Sequence, residues 1–117
     1  MEVLISLKDV LTDIDKYKWS DALFLPEDEV WELQSKCAVL DPDDVEDDAD
    51  DAPRFAMDNN LVYALSIQDV KGIVKNAYEQ KSNCLEKDLL EAFLYYYDND
   101  AFIDFDKRFW FIITIIG

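Results

Sequence analysis

Between Asp41 and Asp51, eight of eleven residues are Asp or Glu, and no other feature of the chain restricts its fold so firmly. Carboxylates this dense repel one another and cannot leave water without partners, so the run reads as an exposed, loosely ordered loop. Across the whole sequence 27 acids stand against 11 bases, a formal net charge of −16. Self-repulsion on that scale opposes compaction. It is set against a chain that is 50% hydrophobic and 14% aromatic, too apolar for disorder. At 117 residues the expectation is one domain spanning 1–117 with a real core and an acidic loop over 41–52.

The apolar spacing divides the rest of the chain. Val3, Leu7, Val10, Leu11 and Ile14 recur at helical intervals as far as Tyr17. Ser6 and Asp9 make a capping-box pattern, which starts that helix at Leu7 and leaves Val3 to Ile5 as an extended lead. Ala22 to Leu25 is a strand stopped by Pro26, and Cys37 to Leu40 is a strand running into Asp41-Pro42. Glu27 to Lys36 fits helical and alternating spacing equally and reads as a loop or short strand. Arg54 to Met57 and Leu61 to Leu65 read as two strands around Asp58-Asn59-Asn60, which has hairpin-turn chemistry.

Two long helices follow. Ser66 with Asp69 marks the start of one, whose stripe is Ile67, Val70, Ile73, Val74, Ala77 and Tyr78, with Gly72 inside it. Ser82 and Asn83 open the other, with Leu85, Leu89, Leu90, Phe93, Leu94 and Tyr97 as its stripe and Asp98-Asn99-Asp100 as its end. Phe109 to Gly117 is apolar apart from Thr114 and the glycine, about half the length a membrane-spanning helix needs, and reads as a buried strand. The fold class is therefore α+β: a small, mainly antiparallel sheet with about three helices packed on it.

Several chemistries lack their residues. There is no histidine, so Ser-His and Cys-His nucleophile pairs are excluded along with the commonest metal ligand. Gly72 and Gly117 are the two glycines, too few for a phosphate-cradling loop. Asp41-Pro42-Asp43-Asp44 begins like a calcium loop, but Val45, Glu46 and Ala52 stand where an oxygen ligand, glycine and glutamate are required. Asp104, between Ile103 and Phe105, is the one acid set among apolar neighbours, and that alternation reads as a strand with a wet face. Cys37 and Cys84 form no disulfide framework and read as reduced, small apolar residues. No secretory signal opens the chain, so a cytoplasmic location is expected, with no cofactor, metal or membrane contact. Direct nucleic-acid binding is disfavoured by the sign of the charge.

Binding to a protein is what remains. Asp41, Asp43, Asp44, Glu46, Asp47, Asp48, Asp50 and Asp51 form the candidate contact surface. Clustered negative charge speeds and orients encounters with a basic protein. Trp31 flanks a polar turn, and three consecutive tyrosines from Tyr95 cover most of a helix circumference, leaving Tyr95 or Tyr96 partly exposed. Trp31, Tyr95 and Tyr96 are thus the candidate apolar anchors, alongside ordinary core and surface roles for such rings.

Two stretches, Cys37-Ala38-Val39-Leu40-Asp41-Pro42-Asp43-Asp44-Val45-Glu46-Asp47-Asp48 and Leu89-Leu90-Glu91-Ala92-Phe93-Leu94-Tyr95-Tyr96-Tyr97-Asp98-Asn99-Asp100-Ala101-Phe102, resemble small acidic immunity proteins of contact-dependent inhibition and other polymorphic toxin systems. The likeness covers roughly residues 7 to 105. It implies a non-catalytic cytoplasmic antidote that binds one cognate, basic, nuclease-type toxin domain. Two other classes remain open: a phosphate-mimicking inhibitor of a nucleic-acid-binding protein, and an adaptor that uses no polyanion mimicry.

Overall fold

The computed structural model describes residues 3–45, 47, 50 and 52–106. Nine elements follow in order: β1 (Ile5–Ser6), α1 (Leu7–Thr12), a single 3-10 turn (Ile14–Lys16), β2 (Ala22–Pro26), β3 (Lys36–Leu40), α2 (Arg54–Asp58), β4 (Leu61–Ser66), α3 (Ile67–Gln80) and α4 (Glu86–Asn99). The four strands make one sheet in the order β1-β3-β2-β4, with every pairing antiparallel. The class is α+β, as the apolar patterning predicts.

β2 explains how the layers sit. Its residues Ala22 to Leu25 are all buried, because the sheet is covered on both faces. Leu23 and Leu25 join Cys37, Val10, Leu11, Ile67, Ile73, Leu89 and Phe93 in the main core, under α1, α3 and α4. Ala22 and Phe24 point the other way, into a smaller core with Ala38, Leu40, Ala56 and Leu61. Ala52 and Phe55 pack onto that second core, so the distal end of the acidic connection and α2 form the lid of this face. The β2–β4 register shifts between Leu23 and Phe24, where β4 carries the extra residue Ala64.

The helix starts follow local chemistry. The Ser6 hydroxyl accepts from the Asp9 amide at 3.1 Å, so α1 begins at Leu7. It ends at Thr12 rather than Tyr17: the Thr12 hydroxyl donates back to the Lys8 carbonyl, and the 3-10 turn carries Ile14 into the core. Ser66 caps α3 through the Asp69 amide, also at 3.1 Å. The opening of α4 differs from the expectation at Ser82-Asn83. The Leu85 amide donates to the Asp88 carboxylate at 2.8 Å, so the helix starts at Glu86 and Leu85, outside it, is left 56% exposed.

Two further expectations are corrected. Arg54 to Asp58 is helix, not strand, and Asp58-Asn59-Asn60 is its exit rather than a hairpin. Pro53 holds a φ of −55°, suited to entering a helical turn, and the Asn59 side-chain Nδ2 donates to the Phe55 carbonyl. Asn60 then takes the left-handed conformation, φ 56°, that aligns β4. In the segment after α4, Ile103 and Phe105 are buried and Asp104 is exposed, as alternation requires, yet no strand forms. The Gln80 side chain takes the place of a neighbouring strand: its Nε2 donates to the Ile103 carbonyl at 2.7 Å and its Oε1 accepts from the Phe105 amide at 3.1 Å. The apolar segment 109–117 lies outside the described residues.

Candidate partner-binding surface

The acidic connection leaves β3 at Leu40, which is buried, and returns to the fold at Pro53, also buried. Turns occur among the described residues between these anchors. Asp41 Oδ1 accepts from the Asp43 amide, the Asp41 carbonyl accepts from Asp44, and the Asp47 carbonyl accepts from Asp50. Such turns suit aspartate, whose short side chain satisfies nearby amides. Asp41, Asp43, Asp44 and Asp47 are exposed, whereas Asp50 is partly buried. Glu46, Asp48 and Asp51 lie outside the described residues.

The charge is unevenly distributed along the chain. Seventeen of the 27 acids and four of the 11 bases precede Arg54, so −13 of the net −16 arises in the first 53 residues. Lys71, Lys75, Lys81 and Lys87 sit instead on or beside α3 and α4. Most of the net charge therefore falls on the acidic connection and the turns around β2, against a net −2 over residues 67–99.

The aromatic candidates occupy the other side of the sheet. Trp31 and Tyr96 pack against the main core, while the acidic connection is anchored on the smaller one. Sequence reasoning pictures one combined site; the fold separates it into two. Trp31 is held firmly, its Nε1 donating to the Pro26 carbonyl at 2.7 Å and its ring standing edge-on to Tyr97 with centroids 4.6 Å apart. Phe93 lies beneath at 6.4 Å. Tyr95 is exposed, and Tyr96 is partly buried with its ring 5.5 Å from that of Phe102. Burial raises the Tyr96 phenol above its ordinary value, and the Asp69 and Asp100 carboxylates push it the same way.

Tyr97 and Val30 were missed as surface residues. Tyr97, placed in the core stripe by its spacing, is 44% exposed, and Val30 is 90% exposed. The signal for Val30 was its setting: Glu27-Asp28-Glu29 before it and Glu32 shortly after, too polar a turn to bury an apolar residue.

Other groups give little chemistry. Cys37 is buried, and burial, with Asp9 adding to it, pushes its thiol up to about 12, far from a reactive thiolate. Cys84 is partly buried and also raised, first by burial, and its thiol donates weakly to the Ala77 carbonyl. Asp88, buried beside Lys81 Nζ at 3.1 Å, serves the α3–α4 connection. Among the described residues no group of three or more His, Cys, Asp or Glu is arranged to hold a metal ion, and no helix is long and apolar enough to cross a membrane.

A family model described as Domain of unknown function (DUF7716) matches residues 4–105. That span starts just before β1 and ends at Phe105, the last buried residue described. No curated protein and no solved structure matches the sequence.

Proposed function

The chain belongs to the DUF7716 family, and we propose that it is a non-catalytic cytoplasmic binding protein whose partner is a basic protein domain. The observation that carries this reading is the acidic connection: Asp41, Asp43, Asp44 and Asp47 face solvent on a segment tied to the sheet at both ends. A tethered anionic surface keeps its carboxylates concentrated and oriented, which raises association rates and selects positively charged partners. The likeness to immunity proteins makes the basic domain a toxin, and a nuclease toxin has a cationic cleft because it holds phosphates. In that case the carboxylates occupy the cleft in place of phosphate groups, and inhibition follows from blocking.

The test is co-expression with the product of the neighbouring gene, scored for rescue of growth, together with binding of the purified pair. Neutralising Asp41, Asp43, Asp44 and Asp47 to Asn is expected to slow association by at least tenfold at low salt and to flatten its salt dependence. Unchanged association and unchanged salt dependence would leave the adaptor class as the better account.

A further inference from the structure

α4 ends in a way that helix stability alone disfavours. Its last turn carries Asp98 and no basic side chain, and Asp100 follows immediately as the C-terminal cap. The carbonyl end of a helix already bears partial negative charge, so acids there are repelled and cations are favoured. Asp100 also adopts φ 53°, a left-handed conformation usually given to glycine. A lysine and a glycine would suit the fold better at these positions.

Two aromatic pairs include residues of this last turn. Tyr97 with Trp31 forms one pair and Tyr96 with Phe102 the other. Tyr97 and Phe102 are 44% and 48% exposed, so each offers ring surface to solvent. The support is rigid on the Trp31 side. Its indole is tied to Pro26, and its turn is fixed to the start of α1 by the Leu7 amide on the Ser35 carbonyl and the Lys8 amide on the Leu33 carbonyl. Between Glu27 and Ser35 that turn carries four acids and no base, with Val30 almost fully exposed.

We infer that the C-terminal end of α4, with Trp31, Tyr97 and Phe102 around Asp98 and Asp100, is a second docking surface, which accepts an arginine-rich segment of the basic partner. Carboxylates and a helix C-terminus exclude an anion. Flat rings beside carboxylates favour guanidinium over ammonium, because its planar, weakly hydrated group stacks on aromatic faces while its fork pairs with carboxylates. This inference rests on the basic-partner reading but assigns contact to the face of the sheet opposite the acidic connection.

Nuclear magnetic resonance titration of the full chain with deca-arginine and deca-lysine peptides at low salt tests it. With deca-arginine, the indole N–H of Trp31 and the amides of Val30, Tyr97 and Phe102 should shift. The combined V30S, D98N and D100N variant, whose sites are exposed, should bind deca-arginine roughly threefold to tenfold more weakly, with a smaller change for deca-lysine. Shifts confined to residues 41–53, with affinity unaltered in the variant, would overturn this inference and leave the acidic connection as the contact. Failure of both peptides to bind would overturn the basic-partner reading itself, and this surface with it.

Discussion

Gly72 is the position where substitution should improve the protein. It lies in the middle of α3, where glycine costs about 0.8–1.0 kcal/mol relative to alanine. Most of that cost is backbone entropy held by the unfolded chain, which a Cβ would reduce. Whether the gain is realised depends on what the new methyl meets. An ideal Cβ at Gly72 falls 3.7 Å from Cζ and 3.9 Å from Cε1 of Phe102, ordinary van der Waals contact, with no other group nearer. The φ of Gly72 is not positive, so alanine brings no backbone strain. Phe102 is half exposed and free to adjust by tenths of an ångström. Gly72→Ala should therefore stabilise the fold by about 1 kcal/mol, which for a chain of this length raises the melting temperature by about 4 °C.

Thermal unfolding followed by far-ultraviolet circular dichroism reads the shift. A urea titration should show a higher midpoint at unchanged slope, the mark of a stability change without altered compactness. A fall in melting temperature would refute the reasoning. It would mean that Phe102 sits closer to α3 than its 3.7 Å approach allows, or that the ring cannot yield. A Phe102→Ala background separates these cases, since the alanine gain should return once the ring is gone.

The Gln80 clamp gives a second outcome: Gln80→Leu should cost about 1–3 kcal/mol for two lost backbone bonds, and hydrogen exchange should quicken at the amides of Ile103 to Phe105 and little elsewhere. Asp88 sets an acid dependence. The Leu85 amide, then Lys81, holds its carboxyl below the ordinary 3.8, so its stabilisation is full above that value and is lost as pH falls through the depressed one. Acid unfolding of Asp88→Asn should show a shallower slope in that window than the parent, and equal slopes would discard the assignment. Ellman's reagent in mildly alkaline buffer should label Cys84 slowly and Cys37 only on unfolding, because Cys37 is buried and its thiol titrates near 12; equal rates for the two in the native protein would contradict this. Changing Asp41, Asp43, Asp44 and Asp47 together to Asn should raise the melting temperature at low salt, and the gain should shrink as salt shortens the Debye length to about 3 Å near 1 M.

The long elements were readable because each carries its own signals. Ser66 and Asp69 cap α3, and Ile67, Val70, Ile73, Val74 and Ala77 all reach the core as their spacing requires. β2 was readable from its unbroken apolar run and Pro26. α2 was not, since five residues are too few to show a period, and Phe55 and Met57 imitate a strand's alternation. Ile103 to Phe105 alternates correctly for a strand, but the bonding partner that makes such a pattern a strand is decided elsewhere; here it is an amide more than twenty residues away. The candidate site was legible residue by residue and not in its assembly. Tyr97 meets Trp31 because the turn after β2 folds against α4, a contact between distant segments that no local spacing reports.

With the acidic connection anchored on the smaller core, binding of the proposed kind would be coupled to stability. That core is the smaller of the two: Ala22, Phe24, Ala38, Leu40, Ala56 and Leu61, with Ala52 and Phe55 packed against it. With fewer buried residues than the main core, it has less hydrophobic stabilisation to set against repulsion among the acids of the connection. A cationic surface that neutralises those charges removes the repulsion in the bound state only. By linkage, a partner of the proposed kind would stabilise the fold, and a fold more stable at this core would hold that partner more tightly.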